Sequence, residues 1–148
     1  MTIQERISYV IPIAVVEDTS GIPILVYEFD EWSGEADIAF GVFFIGLHAG
    51  KDYIVAVKVL SEDHNETLIA IDSDEFMNKR SFRVSASPDG ETVVSASLKV
   101  NFDNVKVENP GIYEVQAVLI DASTKNILSV ASSFFDIKPT GMIRNEFR

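Results

Sequence analysis

From Glu108 to Pro139 the chain runs through NPGIYEVQAVLID, a polar break at ASTKN, and ILSVASSFFDIKP. β-Branched and aromatic residues dominate both runs, while Asn, Pro, Gly, Ser and Thr bound them, so the stretch predicts a strand, a tight loop and a returning strand. In the first run Tyr113, Val115, Ala117 and Leu119 alternate with Ile112, Glu114, Gln116 and Val118. A period of two places the first set on a core face and the second on a partly wet one. Any fold for this chain has to supply an opposing layer for that face.

The upstream sequence supplies more strands of the same kind. Ile7 to Val16 is β-branched and ends at the polar EDTSG turn; Pro12 within it cannot donate to a ladder, which predicts a sheet edge or a bulge. Ile24 to Phe29 forms a second strand and FDEWSGEAD a loop. Ile38 to Leu47 lies in the most hydrophobic run, apolar on both sides, which predicts a central strand covered on two faces or a strand whose outer face meets another molecule. Gly41 and Gly46 within it predict a bulge or a close backbone approach. Tyr53 to Leu60 and Thr67 to Asp72 read as a hairpin with a six-residue loop. Ser73 to Lys79 has the capping residue, early acid and late lysine of a single helical turn. Ser81 to Ser87 reads as a short edge strand, and Thr92 to Val107 as a half-exposed strand that breaks near Asp103-Asn104.

Eight or nine short strands at about ten-residue spacing, with no long helical period, predict an all-β, antiparallel β-sandwich with at most one short helical turn. A chain of 148 residues fits one domain, with a core over about 7–138 and a frayed tail at 140–148. Zero cysteines excludes disulfides, thiol catalysis and cysteine-ligated metal, and suits a reducing compartment. Glu5 and Arg6 interrupt any early apolar run, so no signal peptide is expected, and no apolar stretch reaches the roughly 20 residues of a membrane helix. These features predict a soluble, cytoplasmic protein. A formal charge of −11 opposes a phosphate backbone, so nucleic acid is not an expected partner. Lys79, Arg80 and Arg83, the nearest thing to a basic cluster, read as a solvated loop and strand edge.

No constellation names a reaction. His48 and His64 are the only histidines, and no nucleophile motif accompanies them; His64 reads as a wet loop residue and His48 as a strand-end residue. Asp72, Asp74 and Glu75, and the acidic set Glu28, Asp30, Glu31, Glu35 and Asp37 around Trp32, offer oxygens to calcium without the spacing of a known loop, and read as solvated acid. Trp32 reads as a cover over one end of the sandwich rather than a binding anchor. The expectation is therefore no catalytic, cofactor-binding or metal-ligating residue.

Asn109, Gly111 and Tyr113, followed by Val115, sit at the spacing of the Asp-x-Gly-x-Tyr-x-Cys run of immunoglobulin-like domains. The run resembles their tyrosine corner, which implies that the Tyr113 hydroxyl bonds backbone a few residues upstream at a turn between sheets. Asn109 stands in place of the aspartate and Val115 in place of the cysteine. Val15-Val16-Glu17-Asp18 early and Pro110-Gly111-Ile112-Tyr113 late also resemble uncharacterised bacterial β-sandwich proteins over about residues 8 to 138, which implies a bacterial or phage-borne protein and brings no catalytic residues.

The function expected from these features is a non-enzymatic interaction or structural module with an unidentified protein partner. The alternative is a carbohydrate-binding or calcium-dependent hydrolase-type protein with its site in the acidic loops. Because Phe40, Val42 and Phe44 share one face of the 38–47 strand while Ala39, Phe43 and Ile45 fall on the other, a homodimer through that strand is also expected.

Overall fold

The computed structural model describes residues 4–15, 22–29, 32–69, 79–85 and 92–139. Among them the chain forms nine strands and no helix: β1 (Arg6–Ile13), β2 (Val26–Phe29), β3 (Glu35–His48), β4 (Asp52–Ser61), β5 (Thr67–Ile69), β6 (Lys79–Arg83), β7 (Val93–Lys106), β8 (Gly111–Asp121) and β9 (Ile127–Pro139). The helical turn expected at 73–79 and the tail at 140–148 lie outside the described residues, apart from Lys79, which opens β6.

Two sheets face each other. The smaller has the order β1-β3-β7; the larger runs β2-β9-β8-β4-β5, with β6 also on β4. The inward sets meet in one core: Ile38, Phe40, Val42 and Phe44 from β3 lie against Tyr53, Val55, Val57 and Val59 from β4 and Tyr113, Val115, Ala117 and Leu119 from β8. The core face read from the β8 alternation is the buried one. One pairing departs from the antiparallel expectation. β2 runs parallel to β9, Tyr27 opposite Ile137; just before it the chain has doubled back on the end of β1, where Ile13 and Pro23 form an antiparallel bridge and the N–H of Ile24 donates to the carbonyl of Pro12 at 3.1 Å.

Pro12 sits on β1, an edge strand whose ladder to β3 carries a bulge between Ile7 and Tyr9. β3 is central, as its two apolar faces require, and both of its glycines have a purpose. Gly46, with φ +77°, falls within the irregular stretch between Phe44 and Leu47. A Cβ on Gly41 would lie 2.9 Å from Phe43 Cε2. Phe43 lies across that bare backbone and stacks on Tyr9, with centroids 4.6 Å apart, so part of the outward face of β3 is covered from within the chain. The expected break at Asp103-Asn104 is instead a kink inside one continuous strand: Asn104 takes φ +56°, and its N–H donates to Asp37 Oδ1 at 2.9 Å.

The corner between β7 and β8 is the one its residues imply. Gly111 adopts φ +141°, a conformation that favours glycine. The Tyr113 hydroxyl donates to the carbonyl of Asn109 at 2.5 Å, fixing the turn that carries the chain from one sheet to the other. A second tyrosine ties the sheets together where β1 leaves. The Tyr27 hydroxyl sits between the ends of β1 and β3, accepting from the N–H groups of Ile13 (3.0 Å) and Ala39 (3.3 Å) and facing both of their carbonyls.

Candidate functional site

The outward set of the larger sheet is where side chains with unspent chemistry gather. The registers of β4, β8 and β9 align their outward residues in rows across three strands. Ile54, Ile120 and Ile127 form one row, Ala56, Val118 and Val130 the next, then Lys58, Gln116 and Ser132, then Leu60, Glu114 and Phe134. Two adjoining rows are wholly apolar. Ile127 is 65 % exposed, Val130 59 % and Phe134 54 %, so the face is open along β9.

The polar part of this face centres on Glu114, which is only 8 % exposed although it points away from the core. His64, on the β4–β5 loop with φ +63°, reaches over the sheet and brings Nε2 to 2.5 Å from Glu114 Oε1. Gln116 Nε2 donates to the same oxygen at 3.2 Å, and Ser132 adds a third bond. Burial opposes ionisation of this carboxyl, but the hydrogen bonds from His64, Gln116 and Ser132 and the charge of His64 outweigh it and hold the group below its ordinary value. Glu114 is thus an ionised carboxylate with partners already in place. The loop that carries His64 is locked by its own side chains: Ser61 Oγ bonds Asp63 Oδ1 at 2.7 Å, and Asp63 accepts the N–H of Asn65 at 3.0 Å. Beside it an open cleft of about 370 Å³ is lined by Asp63, Glu66, Asn109 and Tyr113, among others.

A second polar cluster closes the opposite end of β4. Lys51 Nζ lies 2.9 Å from Glu5 Oε2 and 3.1 Å from Asp121 Oδ2, and 5.4 Å above the Tyr53 ring. The Tyr53 hydroxyl donates to Glu5 and accepts the N–H of His48 at 2.8 Å. Desolvation disfavours the Lys51 cation, yet its bonds to the two carboxylates raise it above the ordinary lysine value. Its hydrogen bond, together with the N–H groups of Ser123 and Thr124, lowers Asp121. The cluster ties the segment before β1 to the ends of β4 and β8, a structural use that satisfies all three charges.

The residues singled out in the sequence mostly fall apart in space. Glu35 and Asp37 sit at the start of β3 and Glu28 on β2. Asp30, Glu31, Asp72, Asp74 and Glu75 lie outside the described residues. Among the described residues no three histidine, aspartate or glutamate side chains gather to hold a metal ion. Arg83 grips Asp52 through Nε at 2.8 Å and a second nitrogen at 2.9 Å. Trp32 does not cover the sandwich end: it is 98 % exposed on the turn that precedes β3. His64 keeps a half-exposed side chain but has a partner the sequence did not reveal. Glu114, Glu5 and Lys51 passed unnoticed. Only the polar Glu114–Gln116 pair within an otherwise apolar outward set hinted at the first.

No family model and no curated protein sequence matches the chain. Solved structures do. A β-glucuronidase 2 from Bacteroides uniformis, a calcium-binding mutant, superposes with a TM-score of 0.57 at 9 % identity over 88 % of this chain, and 14 % of its own length is covered. A bacterial adhesin from Mobiluncus mulieris gives 0.52 at 11 % identity over 90 % of this chain and 57 % of its own. At such identities the likeness bears on the fold alone, a β-sandwich. This chain spans only part of the length of either protein.

Proposed function

We propose that the chain is a non-enzymatic interaction module that works through the outer face of its larger sheet. The observation that supports it is the pair of adjoining apolar rows, Ile54-Ile120-Ile127 and Ala56-Val118-Val130, bordered by polar side chains; Ala56 is buried, Ile54, Val118 and Ile120 are partly exposed, and Ile127 and Val130 on β9 are open to solvent. Contiguous exposed apolar area with a polar border is how interaction surfaces on soluble domains are usually built. The His64–Glu114 pair fits recognition better than catalysis. A general base works best with a pKa near the operating pH and a free lone pair, whereas Glu114 is held low and already bonded to three donors. Both similar structures come from proteins in which such a sandwich is one part of a longer chain.

The competing reading places a calcium or carbohydrate site in the acidic loops. A thermal-shift screen against calcium, other divalent cations and oligosaccharides separates the two. A ligand at 100 times its Kd adds about 2.7 kcal/mol, which for a domain of this size raises Tm by roughly 5–11 °C. The proposal expects no saturable shift with any of them. A reproducible, saturable shift with calcium or a sugar overturns it in favour of the acidic loops.

A further inference from the structure

We propose that the partner for the β4-β8-β9 face is a second copy of this chain, the two sheets stacking face to face; this rests on the interaction-module reading above. Charge argues for it first. The molecule carries −11, so two copies repel each other over most of their surface. The two apolar rows contribute no charge, and the row beside them brings Lys58. Glu114, the next carboxylate along β8, is buried under His64. Asp136, further along β9, is paired with Lys138 at 3.2 Å. This is a surface on which an acidic chain can approach its own copy without meeting unpaired acid.

Shape and size argue for it next. The rows are apolar and most open along β9, and a two-fold operation lays Ile127 and Val130 on the equivalent rows of the second copy, so apolar side chains meet apolar ones. The smaller sheet lacks this continuity. Outside β3, its β7 column offers Ser97, Lys99 and Asn101, and Phe43 is already engaged with Tyr9. At about 4.8 Å between strands and 6.8 Å between successive outward residues, a face three strands wide and four rows long covers roughly 400 Å². A standard stable interface takes about 800 Å² from each partner. The dimer is therefore of the weak, concentration-dependent kind, with dissociation in the micromolar range. Long-range repulsion between two acidic chains is screened by salt, so association tightens as ionic strength rises.

Multi-angle light scattering of the full chain from low micromolar to near-millimolar concentration tests this. The expected result is a mass climbing from 16.4 kDa towards twice that value, earlier at higher salt. Val130→Glu and, separately, Ile127→Glu should raise the concentration at half-dimerisation at least tenfold. Both positions are more than half exposed, so the variants should keep the wild-type circular dichroism spectrum. Ile45→Glu, on the outward side of β3, should leave association unchanged. A mass fixed at 16.4 kDa throughout overturns the proposal. So does a dimer broken by Ile45→Glu and indifferent to Val130→Glu, which would place the contact on the 38–47 strand. These outcomes are independent of the ligand screen: a monomer with no saturable ligand shift leaves the module reading standing and removes only the self-association.

Discussion

Tyr27→Phe removes one oxygen from the structure and should cost far more than an exposed hydroxyl would. The ring is 3 % exposed and packs edge-on against Phe135 and Phe40, with centroids 5.5 and 6.5 Å away, contacts that phenylalanine retains. What disappears is the hydroxyl wedged between β1 and β3, which accepts two N–H groups and has one hydrogen to give to the carbonyl of Ile13 or Ala39. Three backbone groups then lose their partner in a buried place, where each stranded group costs about 1–3 kcal/mol. Ile13 and Ala39 are register partners, so the strands recover part of this by closing on each other. The expected loss is about 2–4 kcal/mol, or roughly 5–15 °C in Tm for a domain of this size. Urea denaturation followed by circular dichroism measures it. A loss below about 0.5 kcal/mol would refute the idea that this hydroxyl holds the strand ends. An alkaline titration adds an independent check. Burial, only partly offset by the bonds from Ala39 and Ile13, pushes Tyr27 up to about 12, and burial with the bond to Glu5 does the same for Tyr53. Folded values raised above the unfolded one mean that this contribution is complete below about pH 10 and lost as pH climbs towards 12. With phenylalanine at 27 the alkaline loss should be shallower, Tyr53 and Tyr113 remaining, the latter raised by burial and by the charges of Glu66 and Glu108.

Tyr113→Phe deletes the single corner bond to Asn109 and should destabilise by about 0.5–1.5 kcal/mol; coincident denaturant midpoints would count against the corner as a stabilising element. Gly41→Ala forces the Phe43 ring off its seat and should cost about 1–3 kcal/mol, with much of the loss recovered in the Gly41→Ala, Phe43→Leu double variant; additive losses in that cycle would contradict the steric account. Lys51→Met leaves Glu5 and Asp121 without their shared cation and should lower the urea midpoint measurably at neutral pH, the effect being modest because water screens the cluster. Because Asp121 is depressed in the fold, its contribution is complete above the ordinary aspartate value of 3.8 and fades as pH falls through the folded value. The Lys51→Met penalty should shrink in acid, and a penalty independent of pH would mean that packing rather than charge is lost.

Local sequence determined the strands because each carries its own signal. The alternation along β4 and β8, the glycine at the corner and the polar break before β9 depend on neighbours a few residues away, and period, turn chemistry and the excluded φ of proline are all local properties. The two glycines of β3 announced an irregularity, and Asn109-x-Gly111-x-Tyr113 announced a corner. What the sequence could not determine is which distant residues share a place. Tyr27 looks like any strand tyrosine until β1 and β2 part company across two sheets. His64 and Glu114 are 50 residues apart, and their contact exists only because β4 pairs with β8 while the β4–β5 loop turns back over the outer face. Glu5, Lys51 and Asp121 meet for the same reason, at the ends of strands brought together by sheet order. The parallel seating of β2 on β9 likewise has no local mark, since a strand's direction relative to its neighbour is set by the path between them. Side-chain period fixes which face a residue takes; pairing and crossover, settled only when the whole core closes, fix what that face holds.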